Sequence, residues 1–444
     1  MPMPMHTTNG LKHFGISSLA CLICALTAAA QGLVLPSVGP VNRSMGGAAV
    51  AAPLDAIGAT YWNPATITGL ESSQMDFGIE LIYPRSTLSS VVEAGALGPG
   101  TPPVTLAGSS RSDSGVSPLP TFGLVYKPCE SDWTYGLGIF TIGAFGANYP
   151  GSISNPILTA QPPRGVGLGP ISSQLFVLQI ATTAAYQLTD HLSIGFSPNI
   201  DLASITLDPD VFASPDDANG DGFPTYPPAT HTRMHWGAGF HVGAYYTWES
   251  WGFGASFKSP QWFETFRYQA TDELGRPRNL KLRFDYPMIV SLGAAYSGFD
   301  RFLFALDVRY VDYRNTKGFG PAGFDATGAV TGVGWDSVVL VAAGVQYRLS
   351  EAVSLRMGYT FNTNPIPDAV TSFNAAAPTI YEHVLYAGAS YQLTDALALS
   401  LSYFHVFGNS ITGPIVGPLG PIPGTSVTSR AEADALAFGV TLRF

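Results

Sequence analysis

Beyond residue 72 the chain alternates apolar and polar side chains with period two, interrupted by turn-rich stretches. Period two is the spacing of a strand that shows one face to each side of a sheet. The first expected strand, roughly 73–83, sets Phe77, Ile79, Leu81 and Tyr83 on one face and turns Asp76 and Glu80 to the other. The second, near 119–127, does the same with Phe122, Leu124 and Tyr126. The third starts at Trp133 and runs into a glycine-rich segment. Further segments follow near 173–187, 192–207, 233–248, 251–268, 279–296, 302–314, 335–348, 353–362, 382–392, 396–407 and 433–444. Residues 279–296 are expected to form one long strand, with Leu280, Leu282, Phe284 and Tyr286 outward and Lys281, Arg283 and Asp285 inward. That makes fourteen segments, an even number, as in single-chain bacterial outer-membrane barrels. Short turns (188–191, 249–250, 350–352, 394–395) would face the periplasm. Long loops (86–116, 209–232, 316–333, 364–379, 408–429) would face outside. The expected fold is all-β: a 14-stranded antiparallel transmembrane β-barrel, plugged by the segment that precedes it.

That preceding segment, 42–70, does not alternate. It has paired glycines (Gly46, Gly47), an alanine-rich run and then Trp62-Asn63-Pro64-Ala65. The Asn-Pro step is a turn signal, because the residue before proline is pushed out of the helical region. A small-residue, apolar segment ahead of a barrel reads as a hatch inside the lumen; an extension lying outside is the alternative. Residues 1–30 read as a secretory signal: Lys12 and His13, an apolar run 16–26, then Ala28-Ala29-Ala30 for cleavage. The expected organisation is signal 1–30, hatch 31–71 and barrel 72–444.

Composition sharpens this picture. Only 12 % of residues are charged and 46 % are apolar, which suits a broad belt facing lipid. The net charge of −10 argues against nucleic acid, which wants a basic surface. Cys21 and Cys24 fall in the signal, so Cys129 alone remains and no internal disulfide can form. The uncharged stretch 134–163 carries too many glycines and prolines for a membrane helix.

No catalytic constellation is visible, and no enzyme activity is expected. His235 and His241 share the inward face of one strand but sit roughly 20 Å apart at the usual rise, too far for one metal. A barrel hydrolase would need a serine motif beside His383 or His405, and none is present. Asp217, Asn219 and Asp221 match the start of a calcium loop, D-x-N-x-D-G, although Pro228 stands where a bidentate glutamate belongs. An acidic, turn-rich external loop is the alternative. No other cofactor is signalled. Gly138, Gly143 and Gly146 lie within the third strand, where they could bend it or merely ease barrel curvature. Arg356, Arg309 and Lys258 are expected to face inward, either contacting a ligand carboxylate or pairing with lumen acids such as Asp307, Asp201 and Glu80.

The run Gly46-Gly47-Ala48, then Asp55, then Tyr61-Trp62-Asn63-Pro64-Ala65, resembles the hatch of the FadL family of outer-membrane transporters for long-chain fatty acids and other hydrophobic compounds. Asn-Pro-Ala is a hatch signature of that family. Residues 355–359 and 364–367 resemble a strand of that family and the loop after it, and the terminal Phe444 resembles a barrel-assembly signal. The resemblance implies passive transport: capture among extracellular loops, a pocket against the hatch, and lateral release through an inward kink in the third strand. Gly46, Gly47, Asn63, Pro64 and Ala65 would hold and gate the hatch. Gly138, Phe140, Gly143, Phe145 and Gly146 would form the kink and channel. Long-chain fatty acid is the expected ligand, with aromatic or alkane hydrocarbon the competitor within the family and a non-transporting surface or adhesin barrel outside it. The expected setting is the bacterial outer membrane, as a multi-pass monomer in contact with its lipid.

Overall fold

The computed structural model describes residues 32–98 and 104–444. The expected signal segment lies outside the described residues. Fourteen strands form the wall: β1 (Gln74–Val92), β2 (Ser117–Tyr126), β3 (Trp133–Tyr149), β4 (Ile171–Gln187), β5 (Leu192–Asp208), β6 (His235–Trp248), β7 (Trp251–Lys258), β8 (Met288–Tyr296), β9 (Phe302–Asp312), β10 (Val338–Arg348), β11 (Val353–Asn362), β12 (His383–Thr394), β13 (Leu397–Gly413) and β14 (Thr425–Arg443). Each pairs antiparallel with its neighbours in chain order. β1 pairs with both β2 and β14, so the sheet closes on itself.

Alternation along the strands becomes two different environments. Phe77, Ile79 and Tyr83 on β1, and Phe304, Leu306 and Val308 on β9, are exposed on the outer face. Asp76, Glu80 and Asp307 between them are buried in the lumen. Closure gives every wall strand a partner on both sides, as a bilayer demands, although the β2–β3 pairing covers only part of β3.

Four expectations about the strands need correction. Residues 279–296 are not one strand: Pro277–Leu282 pairs with Phe266–Thr271 in a separate hairpin, and β8 begins only at Met288. Leu280, Leu282, Phe284 and Tyr286 are buried among the extracellular loops rather than outward. Alternation reports a two-sided environment, and a hairpin laid on a loop core has one as surely as a strand laid on lipid. For the same reason β7 stops at Lys258 instead of reaching 268. Trp335 precedes β10 and donates its indole N–H to Asn374 Oδ1 at 2.6 Å. Last, much of the expected loops at 86–116 and 408–429 is strand. β1 runs to Val92, where it pairs with Leu106–Arg111, and β13 and β14 continue paired through Gly413 and Val427. In these upper halves the outer face turns polar, with Ser89, Thr412 and Thr428 in place of apolar residues, while Leu88, Ile411 and Val427 stay buried inside; the outward half of the pattern disappears while the ladder continues.

Candidate functional site

The N-terminal segment fills the lumen. It contains α1 (Pro40–Ser44), α2 (Ala56–Trp62) and a 3₁₀ turn, Pro64–Gly69. Between them these elements touch β1 to β6 and β11 to β14, while the link between α1 and α2 reaches the remaining wall through Asp307 on β9 and Gly254 on β7. Pro40 opens α1, where a missing N–H costs nothing. Gly46 and Gly47 follow it with φ of 65° and 83°, a conformation other residues resist. A Cβ on Gly47 would lie 2.0 Å from the Pro36 carbonyl oxygen, so the turn admits only glycine.

Asn63 is the central tie. Its Nδ2 donates to Val50 O at 2.8 Å and to Ala244 O on β6 at 3.0 Å, while its Oδ1 accepts from Ala65 N at 3.1 Å. One amide thus ends α2, starts the 3₁₀ turn and pins both to the wall. Pro64 takes the first position of that turn, and Ala65 is fully buried. The wall answers with glycines. A Cβ on Gly254 would meet Val50 O at 1.9 Å, and one on Gly358 would meet Gly46 N at 2.0 Å. Backbone therefore lies directly on backbone. Glycine recurring at inward mid-strand positions was a readable signal that the pattern of apolar residues obscured.

Charges anchor the hatch as well. Asp307 Oδ2 accepts from Ala49 N (2.8 Å), Val50 N (3.0 Å) and Arg309 Nη2 (2.6 Å). Arg309 also donates to the carbonyls of Pro36 and Gly47 and lies 3.4 Å from the centre of the Trp62 ring. Arg43 pairs with Glu80 at 2.6 Å. Asp76 Oδ2 accepts from Ala56 N at 2.7 Å, and Thr441 on β14 donates to its other oxygen. Burial, then the neighbouring Asp76 carboxylate, push the Asp55 carboxyl in the hatch above the usual carboxylate range.

These contacts also place the three cations nominated for a ligand carboxylate. Arg309 holds the hatch. Lys258 donates to Gln179 and lies 4.4 Å from the Tyr61 ring centre. Arg356 donates to Gln346 and Ser390. All three are buried in the wall around the hatch and line neither of the cavities described next.

The wall is interrupted at β3. Phe140, Thr141, Ile142 and Gly143 are buried consecutively, which breaks the alternation and marks an inward bend. The register against β4 slips between Thr141 and Gly143. β2 pairs with β3 only from Thr121–Phe140 to Tyr126–Tyr135. Above Phe140 the edge of β3 that faces β2 loses its partner until Asn148, which bonds Asp113 and Ser112. Val34 and Leu35 of the hatch cover part of this bend: Val34 bridges Gly143, and Leu35 N donates to Ile142 O at 3.1 Å. Three tyrosine hydroxyls, none nominated from the sequence as a gating or channel residue, hold the junction. Tyr61 donates to Leu35 O, Tyr286 donates to Ile142 O, and Tyr313 accepts from Val34 N. Of the predicted kink residues, Gly138 and Phe140 pack on the hatch, with Phe140 edge-on to Tyr61 at 5.1 Å. Gly143, Phe145 and Gly146 stand at the gap.

Two cavities flank the bend. The first, about 300 Å³, lies under the extracellular loops and is walled by Leu175, Ile205, Phe212, Phe284, Phe319 and Trp335, with Arg283 at its exposed rim. The second, about 430 Å³, lies behind the gap between the hatch (Val34, Leu35), β2 (Ser117, Leu119), β3 and β4, and mixes apolar walls with Ser172, Gln174 and Asn148. Part of the roof of the first cavity is loop 209–230, where burial pushes the Asp210 carboxyl up to about 6 against the opposing pull of the Phe212 and Ala213 N–H groups and Arg278.

The calcium pattern resolves into turns. Asp217, Asn219 and Asp221 turn their oxygens to the N–H groups of Gly222, Asp221 and Phe223. Among the described residues no cluster of three or more His, Cys, Asp or Glu could hold a metal ion. His235 and His241 are buried on the inward face of β6, as expected.

A closed fourteen-stranded barrel with a lipid-facing apolar belt, an internal plug and a gap in its wall defines a plugged outer-membrane channel. The chain belongs to the outer membrane protein transport protein family (OMPP1/FadL/TodX), whose model matches residues 19–444. Members of this family are transport channels for hydrophobic compounds, and the chain is one of them, a multi-pass barrel of the bacterial outer membrane. Similar solved structures include a Pseudomonas aeruginosa FadL homologue (15 % identity, 93 % of this chain and 99 % of that one, TM-score 0.68). The P. putida toluene transporter TodX (18 %, 92 % and 99 %, 0.66) and the Ralstonia pickettii toluene transporter TbuX (18 %, 92 % and 99 %, 0.64) share the same fold. No curated protein matches the sequence.

Proposed function

We propose that the chain carries hydrophobic small molecules passively from the extracellular side to the outer membrane, acting as a monomeric channel rather than an enzyme. The ligand is captured in the apolar cavity under the loops, moves to the second cavity as Val34 and Leu35 shift, and leaves sideways between β2 and β3. The observation that carries this reading is the gap above Phe140 with a cavity directly behind it. A water-filled pore has no use for an opening towards lipid. Burial drives capture, at about 0.8 kcal/mol for each methylene withdrawn from water. Arg309, Lys258 and Arg356 are occupied around the hatch, so the cavity holds its ligand by apolar contact, and a neutral aromatic or alkane hydrocarbon fits that lining best. Arg283 at the rim supports long-chain fatty acid as a second reading, with the tail inside and the carboxylate at the mouth.

Binding of a fluorescent long-chain fatty acid to detergent-folded protein, with competition by toluene and by hexadecane, separates the two. Displacement by the hydrocarbons supports the neutral ligand. Saturable binding that hydrocarbons leave intact, and that Arg283→Ala weakens, supports the acid. Absence of binding by all three refutes the transport reading and leaves a surface barrel.

A further inference from the structure

The two cavities have just two lining residues in common, Phe145 and Leu175. These residues are also direct cross-strand partners in the β3–β4 register. Directly opposed residues of an antiparallel pair project to the same face with Cβ atoms about 5 Å apart, so their side chains form one partition. On one side lies the apolar chamber bounded by Ile205, Phe284 and Trp335; on the other lies the mixed chamber behind the wall gap. The chain segment next to the partition is fixed, because Ser173 of β4 donates to the Ala376 carbonyl. Phe145 itself has room to move. It is half-buried rather than locked in the core, and it stands between Gly143 and Gly146 on the stretch of β3 that lacks its β2 partner. Leu175, buried on the fully paired side, is the fixed half.

We propose that Phe145, closing against Leu175, is the selectivity gate of the channel. It sorts captured hydrophobic ligands by cross-section, passing extended alkyl chains and single planar rings when its ring swings towards the gap and retaining wider polycyclic bodies. The proposal rests on the transport reading and assigns its specificity to one side chain. Capture strength and exit rate are then separable, because the apolar chamber keeps its other walls when the gate residue changes.

The test compares toluene with pyrene as probes of the full-length protein. Equilibrium dialysis in detergent measures binding, and uptake into proteoliposomes measures passage. Phe145→Ala is expected to raise the pyrene-to-toluene uptake ratio at least tenfold, well beyond any change in the ratio of their dissociation constants. Leu175→Ala widens the same passage from the fixed side and is expected to shift the uptake ratio in the same direction. It serves as the second variant if Phe145→Ala assembles poorly, with heat-modifiable gel migration reporting an intact barrel. Wild-type protein that transports toluene, together with an unchanged pyrene-to-toluene ratio in both variants, overturns the gate alone. Uptake changes that merely follow changes in binding also overturn it, since Phe145 is then only a pocket wall. Wild-type protein that transports neither probe refutes the transport reading and the gate with it.

Discussion

Asp307→Ala is expected to release the hatch while leaving the barrel closed. One buried carboxylate oxygen receives the N–H groups of Ala49 and Val50 and the Arg309 guanidinium, all within 3.0 Å. Removing it strands two backbone donors and leaves a buried cation without its counter-ion. Breaking one partner of such a pair costs about 3–5 kcal/mol. At 1.4 kcal/mol for each factor of ten, about 4 kcal/mol raises the population of undocked hatch on the order of 10³-fold. Hydrogen exchange read by mass spectrometry on detergent-folded protein measures this directly, with peptides covering 45–66 compared against peptides from β8 and β9. Arg309→Met alone removes the donor to the Pro36 and Gly47 carbonyls and is expected to act in the same direction. The double variant, which leaves no buried charge behind, is expected to be less damaging than the sum of the two. Unchanged hatch exchange in Asp307→Ala with an intact barrel, or strict additivity in the double variant, would refute the reasoning.

Asn63→Ala loses three hydrogen bonds at about 1 kcal/mol each, so exchange in the peptides spanning 50–67 is expected to rise on the order of a hundredfold while heat-modifiable migration stays unchanged. Gly254→Val places side-chain atoms where Val50 O now lies at 1.9 Å from an ideal Cβ; the expected result is a displaced hatch, read as new protease sensitivity within 45–55. Asp210 gives the loop roof a pH dependence. Its folded-state value of about 6 lies above the unfolded value near 3.9, so the folded loop binds the proton more tightly. Roof stability therefore rises as pH falls from about 6 towards about 4, and above 6 the burden of a buried charge is fully present. Asp210→Asn is expected to stabilise loop 209–230 at pH 8 by up to about 3 kcal/mol and to flatten the dependence, measured by exchange corrected for its intrinsic pH effect.

The outward half of this molecule was legible because lipid imposes a single demand on every second residue. The apolar faces of β1, β6, β9 and β14 follow from that demand alone. Where lipid stops, the signal loses its meaning. Leu280, Leu282, Phe284 and Tyr286 keep the rhythm of a membrane strand but face the loop core, and the upper halves of β13 and β14 form a ladder whose outer face is polar, with only inward residues such as Ile411 and Val427 apolar. Asn63-Pro64-Ala65 stood out as a turn, and the structure adds what a turn signal does not contain: that the amide reaches Ala244, 181 positions away. The inward direction of Arg309 and Lys258 was readable, and so was Asp307 as an acid for Arg309 to pair with, but their uncharged partners were not, since Pro36, Gly47 and Gln179 approach through the closure of the barrel. The first cavity lay further out of reach, because much of its wall comes from loops whose sequences carry no period.

The hatch docks on strands from both ends of the chain, and this sets an order of assembly. Asp76 on β1 holds Ala56 with one oxygen and receives Thr441 on β14 with the other. α1 rests against β13 and β14. Those surfaces do not exist until the last strand has zipped onto the first. Residues 32–72 leave the ribosome ahead of every strand, yet their seat stays incomplete until every strand is in place. The final closure of β14 on β1 is the event that completes the seat of the plug.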